Sequence, residues 1–130
     1  MSAAARRVLI ADDDPVASGL LRNVLQNIGM TVIGEVVDGK QAYADCQRLK
    51  PEVVCLDIEM PEMKGTEVLS RLRRELPGSL IFLITSFATA QNVRSAMQMG
   101  ADGIITKPVN KDTVATEIRR ASAKRKLHAY

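Results

Sequence analysis

Tryptophan is absent, and only two tyrosines and two phenylalanines occur in 130 residues. The chain therefore offers no aromatic platform on which nucleic-acid bases could stack. Cysteine appears twice, at Cys46 and Cys55, in no metal-ligand spacing. Cys55 stands inside an apolar run, where a free thiol behaves as a small hydrophobe, and a reducing cytosol suits that usage. Histidine appears once, as His128 near the last residue, and is assigned no role. No apolar run approaches membrane-spanning length, and the one within residues 1–14 is too short for a signal-peptide core before acids interrupt it. Neither export nor membrane insertion is expected, and the expected location is cytoplasmic. No Gly-x-Gly-x-x-Gly follows the first apolar run, which sets dinucleotide binding aside.

With 46% hydrophobic and 25% charged residues and no low-complexity stretch, the composition is that of a folded globular chain. The length suits one domain, expected over residues 1–130 with a core at about 6–121 and a basic tail at 122–130. The formal charge is +3, from 18 basic and 15 acidic residues, but five of the eight residues from Arg119 to Lys126 are basic. Without those five the rest of the chain carries 13 bases against 15 acids, so the body is slightly acidic. The tail reads as a solvated helix end complementing the helix dipole, and nucleic-acid binding by this domain is not expected.

Apolar runs of strand character recur at Val8 to Ala11, Val32 to Val37, Val53 to Leu56, Leu80 to Ile84 and Gly103 to Thr106. Three of them do not alternate with polar residues, as expected for parallel strands covered on both faces. Helical stripes follow each: Val16, Leu20, Leu21, Val24, Leu25 and Ile28; Ala42, Cys46 and Leu49; Val68, Leu72 and Leu76; Val93, Ala96 and Met97; Val114, Ile118 and Ala121. Gly29 and Gly100 stand where helix-terminating residues belong, and Pro51 and Pro77 where helices must already have ended. Five such β-then-α units predict an α/β three-layer sandwich around a parallel sheet. Ligands of such sheets bind at the carboxyl ends of the strands.

Those ends carry Asp12, Asp13 and Asp14 after the first strand, Asp57 after the third, Thr85 and Ser86 after the fourth, and Lys107 after the fifth. Asp14 followed by Pro15 has the form of a helix N-cap with proline in the first turn. Asp12, Asp13 and Asp57 remain, and three converging carboxylates repel one another unless a cation neutralises them. Mg²⁺ fits, because it takes carboxylate oxygens while keeping positions open for water and phosphate. Asp57 is then the candidate nucleophile, Lys107 a point charge for a phosphoryl oxygen, and Thr85 a hydroxyl donor to another. Taken alone, Asp57 reads equally as a solvated turn residue before Met60 and Pro61, and its company decides otherwise. Gly65 and Gly100 read as backbone devices at turns and caps. Met97 and Met99 read as helix packing and surface.

The segments Leu9-Ile10-Ala11-Asp12-Asp13, Leu56-Asp57-Ile58-Glu59-Met60-Pro61, Lys64-Gly65, Ile84-Thr85-Ser86, Gly100-Ala101 and Lys107-Pro108 closely resemble those of response regulator receiver domains, over about residues 6 to 121. The resemblance implies a flavodoxin-like sheet of order 2-1-3-4-5 with five helices. It makes Asp57 the phosphorylated residue, Asp13 a direct Mg²⁺ ligand and Asp12 a ligand through water, with the backbone carbonyl of Glu59 completing the set. Thr85 and Lys107 become the residues that sense the phosphate, and the Lys107–Pro108 bond is often cis in relatives. It also implies a sensor histidine kinase or phosphotransfer protein as donor, an output protein or effector domain, and dimerisation on phosphorylation as an option. The expected chemistry is self-catalysed transfer to Asp57 and hydrolysis from it, not turnover of substrates.

Two departures stand out. Ile104 occupies a place commonly aromatic in relatives, where ring rotation accompanies the Thr85 shift, and Val109 stands where many have phenylalanine. An output face built by the fourth helix, fifth strand and fifth helix is accordingly expected to be reorganised. Phe87 is expected to restrict water access to the phosphoryl group, while Glu59 offers the opposing possibility of polarising that water. Two rivals remain. One is an aspartyl-phosphate-forming small-molecule phosphatase resembling the haloacid-dehalogenase type, whose Asp-x-Asp-x-Thr/Val pattern the segment Asp57 to Pro61 lacks. The other is a protein-binding module independent of phosphorylation. A stand-alone protein or an isolated receiver module is expected over a linker to a further domain.

Overall fold

The computed structural model describes the backbone of residues 6–129 and the side chains of residues 6–125. The side chains of Lys126 and His128 lie outside the described residues. Strands and helices alternate: β1 (Arg7–Ala11), α1 (Pro15–Asn27), β2 (Thr31–Val36), α2 (Gly39–Leu49), β3 (Val53–Asp57), α3 (Gly65–Glu75), β4 (Leu80–Thr85), α4 (Ala90–Gln98), β5 (Gly103–Thr106) and α5 (Lys111–Ala129). All neighbouring strands pair in parallel, in the order β2-β1-β3-β4-β5. This is the expected flavodoxin-like sheet, and the strand boundaries fall within a residue of those read from the apolar runs.

The period-2 geometry of the strands divides the core in two. Leu9, Val54, Leu56, Ile81 and Leu83 face one layer, where α2, α3 and α4 supply Ala42, Cys46, Val68, Leu72 and Ala96. Val8, Ile10, Cys55, Phe82 and Ile84 face the other, where α1 and α5 supply Leu21, Leu25, Val114 and Ile118. β3 and β4 are buried at every residue, which is why their sequences show no alternation. Each fully buried Leu or Ile contributes about 1.5–3 kcal/mol relative to leaving it in water. Among the described residues no helix is long and apolar enough to cross a membrane.

The stripe predicted on α1 needs correction. Val16 is 70% exposed and Leu20 50% exposed, while Ser18 is buried with Leu21 and Leu25. Positions 18, 21 and 25 share the face turned to the sheet, and positions 16 and 20 fall on the far side of the helix. Ser18 keeps its buried place because its hydroxyl donates to Glu35 Oε1 on β2 at 2.7 Å. The other expected caps hold. The Asp14 carboxylate accepts from the Val16 N–H at 3.0 Å, with Pro15 opening α1, and Gly29 and Gly100 take φ of 92° and 103° just past α1 and α4.

At the end of the sheet away from the acidic residues, Asp102 accepts from Arg73 Nη1 at 2.9 Å and from Arg125 Nε at 3.0 Å. Arg125 also donates to the Pro77 carbonyl at 2.7 Å, and Arg120 to that of Asp102 at 3.0 Å. Part of the basic run expected to be solvated is therefore fastened to the body, and α5 continues as a helix past residue 121 to Ala129.

Gly65 positions the functional end. A Cβ there would lie 2.1 Å from the Asp57 carbonyl oxygen, so only glycine lets α3 begin against the end of β3. Gly65→Ala is expected to push α3 off that strand and to lower stability by about 2–3 kcal/mol, in the range of overpacked cores. Urea unfolding checks this, and an unchanged midpoint contradicts the close-approach account.

Candidate functional site

The parallel sheet brings the ends of β1, β3, β4 and β5 to one edge, and the backbone locks them there. The Ile58 N–H donates to the Ile84 carbonyl at 3.1 Å, and the Lys107 N–H to the Thr85 carbonyl at 2.8 Å. The Lys107–Pro108 peptide bond is cis, as the resemblance implied. The six predicted site residues gather around one cleft of about 570 Å³, lined by Asp13, Asp57, Glu59, Thr85 and Lys107 with Asp12 beneath them.

One carboxylate oxygen from each of Asp12, Asp13 and Asp57 lies within 4.8 Å of the others. Asp12 is 2% exposed and fully engaged: Oδ1 accepts from the Asp14 N–H at 2.9 Å, and Oδ2 pairs with Lys107 Nζ at 3.0 Å. Asp57, 8% exposed, accepts from the Glu59 N–H at 3.3 Å on Oδ1 and from Lys107 Nζ at 3.2 Å on Oδ2. Asp13 is exposed and makes no side-chain hydrogen bond among the described residues. Thr85, on β4, is nearly buried, and its Oγ1 accepts from the Phe87 N–H at 3.0 Å.

The electrostatics follow from this crowding. Burial and the neighbouring Asp12 carboxylate push the Asp57 carboxyl up to about 6, against the opposing pull of Lys107. Burial works against the Lys107 ammonium, yet Asp12 and Asp57 overcome it and hold its pKa above the usual lysine value. One ammonium thus pairs with two of three clustered carboxylates, and Asp57 is still short of positive charge. The donor set is entirely carboxylate oxygen, the chemistry a hard divalent cation takes. The residues present therefore fit Mg²⁺.

The sequence did not single out Thr66, and it assigned Met99 to helix packing and surface; both line the cleft. Thr66 follows Gly65 in the first turn of α3, and Met99 follows α4. Their place at the cleft depends on how those two helices pack, which no local motif announces.

Residues 8–119 match the response regulator receiver domain, and the chain belongs to that family. It is a receiver domain of two-component response regulators. It is 33% identical over 112 residues to the probable transcriptional regulatory protein TcrX of Mycobacterium tuberculosis, a match that covers 86% of this chain and 47% of TcrX. It is 30% identical over 117 residues to the chemotaxis protein CheY of Thermotoga maritima, covering 90% of this chain and 98% of that one. Among solved structures it resembles the complex of CheX and CheY with beryllofluoride and Mg²⁺ from Borrelia burgdorferi, at TM-score 0.82 and 26% identity, over 87% of this chain and 86% of the other. The chain thus spans about half of TcrX and nearly all of the Thermotoga CheY.

The raised pKa of Asp57 has a defined consequence for stability. Its folded-state value of about 6 lies above the 3.8 of a free carboxyl, so its contribution is fully present below about pH 4 and is lost as pH rises through 6. In the absence of divalent cations, Asp57→Asn is expected to be the more stable protein at pH 8. The gain is about 1 kcal/mol once screening at the open cleft is allowed for. The gap should close below pH 4. Thermal melts in chelator check both ends of the range, and a variant no more stable than wild type at pH 8 contradicts this reading.

Proposed function

We propose that this chain accepts a phosphoryl group on Asp57, from a phosphohistidine of a sensor histidine kinase or phosphotransfer protein. The observation that carries the reading is the unbalanced carboxylate cluster with Lys107 Nζ already on Asp57 Oδ2 at 3.2 Å. In the transfer, an Asp57 carboxylate oxygen forms a bond to phosphorus as the bond from phosphorus to the donor nitrogen breaks. The electron pair leaves with that nitrogen. No proton has to be removed from the nucleophile, so the chain contributes positioning and charge rather than a general base.

Asp13 and Asp57 would hold Mg²⁺ directly, with the Glu59 carbonyl, and Asp12 through water; Asp12 lies deepest of the three, at 2% exposed, which supports that division. When bound, Mg²⁺ neutralises charge on the acceptor and on the transferring phosphoryl oxygens. Lys107 pairs with a phosphoryl oxygen as a fixed positive charge. Thr85 donates its hydroxyl to another, and among the described residues no protein acceptor takes that hydroxyl proton. Phe87, 72% exposed at the cleft, shields the acyl phosphate from water.

The output surface is the face of α4, β5 and α5, where Val93, Met97, Ile104 and Val114 line a groove of about 820 Å³. An effector, or a second copy after phosphorylation, would read its shape there. The basic end of α5 completes the same domain, which we take to span residues 1–130.

Incubation with Mg²⁺ and acetyl phosphate is expected to add one phosphoryl group to wild type and none to Asp57→Asn, as read by intact mass. Asp13→Ala should label much more slowly; labelling at the wild-type rate contradicts the metal assignment. Steady turnover of small phosphate esters would instead favour the phosphatase rival. For the shielding role, Phe87→Ala is expected to lose its phosphoryl group severalfold faster, and an unchanged rate of loss refutes it.

A further inference from the structure

Ile104 has no ring and no side-chain polar atom, and packs at the edge of the core cluster under α4. Its backbone N–H is tied to Glu117 Oε1 of α5 at 3.3 Å. An aliphatic side chain held this way cannot exchange hydrogen bonds with the Thr85 hydroxyl. The polar contacts of Thr85 run in a different direction, along the loop into α4.

Thr85 Oγ1 accepts from the Phe87 N–H at 3.0 Å, and the Phe87 carbonyl accepts from Asn92 Nδ2 at 2.8 Å. The Asn92 N–H in turn donates to Thr89 Oγ1 at 3.1 Å, which caps α4. The ring of Phe87 is largely solvent-exposed, so these hydrogen bonds rather than packing fix its peptide. α4 itself is short, nine residues with Ala96 its one fully buried side chain. A helix seated this lightly is readily displaced by a pull on its first turn.

We propose that Asn92 is a positioning residue that couples the Thr85 hydroxyl to α4 through the Phe87 peptide, an inference that rests on Asp57 being the phosphoacceptor. A phosphoryl oxygen is a stronger acceptor than any neutral group nearby, and a charge-assisted bond to it draws the Thr85 hydroxyl toward Asp57. The lone pair that holds the Phe87 N–H moves with it. Either the loop follows or that bond breaks, and both outcomes shift the Phe87 carbonyl. Asn92 transmits the shift to the first turn of α4 and so to the groove lined by Val93 and Met97. In this chain a hydrogen-bond relay through the loop takes the place of a rotating ring.

The test is the change in backbone amide chemical shifts on adding Mg²⁺ and beryllofluoride to wild type, Asn92→Ala and Asn92→Asp. Asn92→Asp keeps the shape of the side chain and replaces the donor with a charged acceptor, while Asn92→Ala removes the donor without adding charge. In wild type the amides of Thr85, Phe87, Val93 and Met97 should all respond. In both variants Thr85 and Phe87 should respond as in wild type, while the responses of Val93 and Met97 are lost. A merely structural role for Asn92 would alter the resting spectrum without removing the activated-minus-resting difference. Full responses of Val93 and Met97 in either variant that remains folded overturn the relay. A wild type whose Thr85 amide ignores beryllofluoride overturns the phosphoacceptor reading, and the relay with it.

Discussion

A single ammonium group set against a cluster of three carboxylates, two of which it touches, is the constraint on which the site depends. Lys107 reaches Asp12 and Asp57 together, at 3.0 and 3.2 Å, and in doing so stitches the end of β5 to those of β1 and β3. It does not balance the charge, since Asp57 remains pushed up to about 6 by its surroundings. The folded chain therefore keeps an anionic cleft ready for positive charge. A hard divalent cation would satisfy it.

The fold exists to hold that imbalance in place. Strands buried on both faces leave no freedom for register slips at the functional edge, because a one-residue shift would turn every apolar side chain to the wrong layer. Gly65 lets α3 close on the Asp57 carbonyl, and Asp12 accepts from the Asp14 N–H, so the acidic loop is braced from within. At the opposite end of the sheet, Arg73 and Arg125 converge on Asp102 and fix α5 against β5. Among the described residues α4 makes no ion pair to the body and Ala96 is its one buried side chain, so it is lightly held beside Thr85.

Much of this was legible in the sequence because parallel α/β sheets follow simple rules. Unbroken apolar runs such as Val53 to Leu56 mark buried strands, and whatever polar residues follow them must share one edge. Asp12, Asp13, Asp57, Thr85 and Lys107 are thus grouped by the sequence alone. The resemblance to receiver domains then added the strand order and the place of Glu59. Helix rotation was less readable: six apolar positions on α1 span too wide an arc to define one face, so Val16 and Leu20 were placed inward when Ser18 holds that position. The Arg73–Asp102–Arg125 cluster and the Thr85–Phe87–Asn92 chain were invisible for a related reason. They join residues through loop conformations and helix ends, where spacing along the chain carries no information about contact.

The most direct measurement is a crystal structure grown with Mg²⁺ and beryllofluoride. One magnesium ion held by Asp13 and Asp57, beryllium on an Asp57 oxygen, and Lys107 Nζ moved from that carboxylate onto a fluoride are expected. Beryllofluoride on any other side chain, or magnesium bound away from these aspartates, would contradict it.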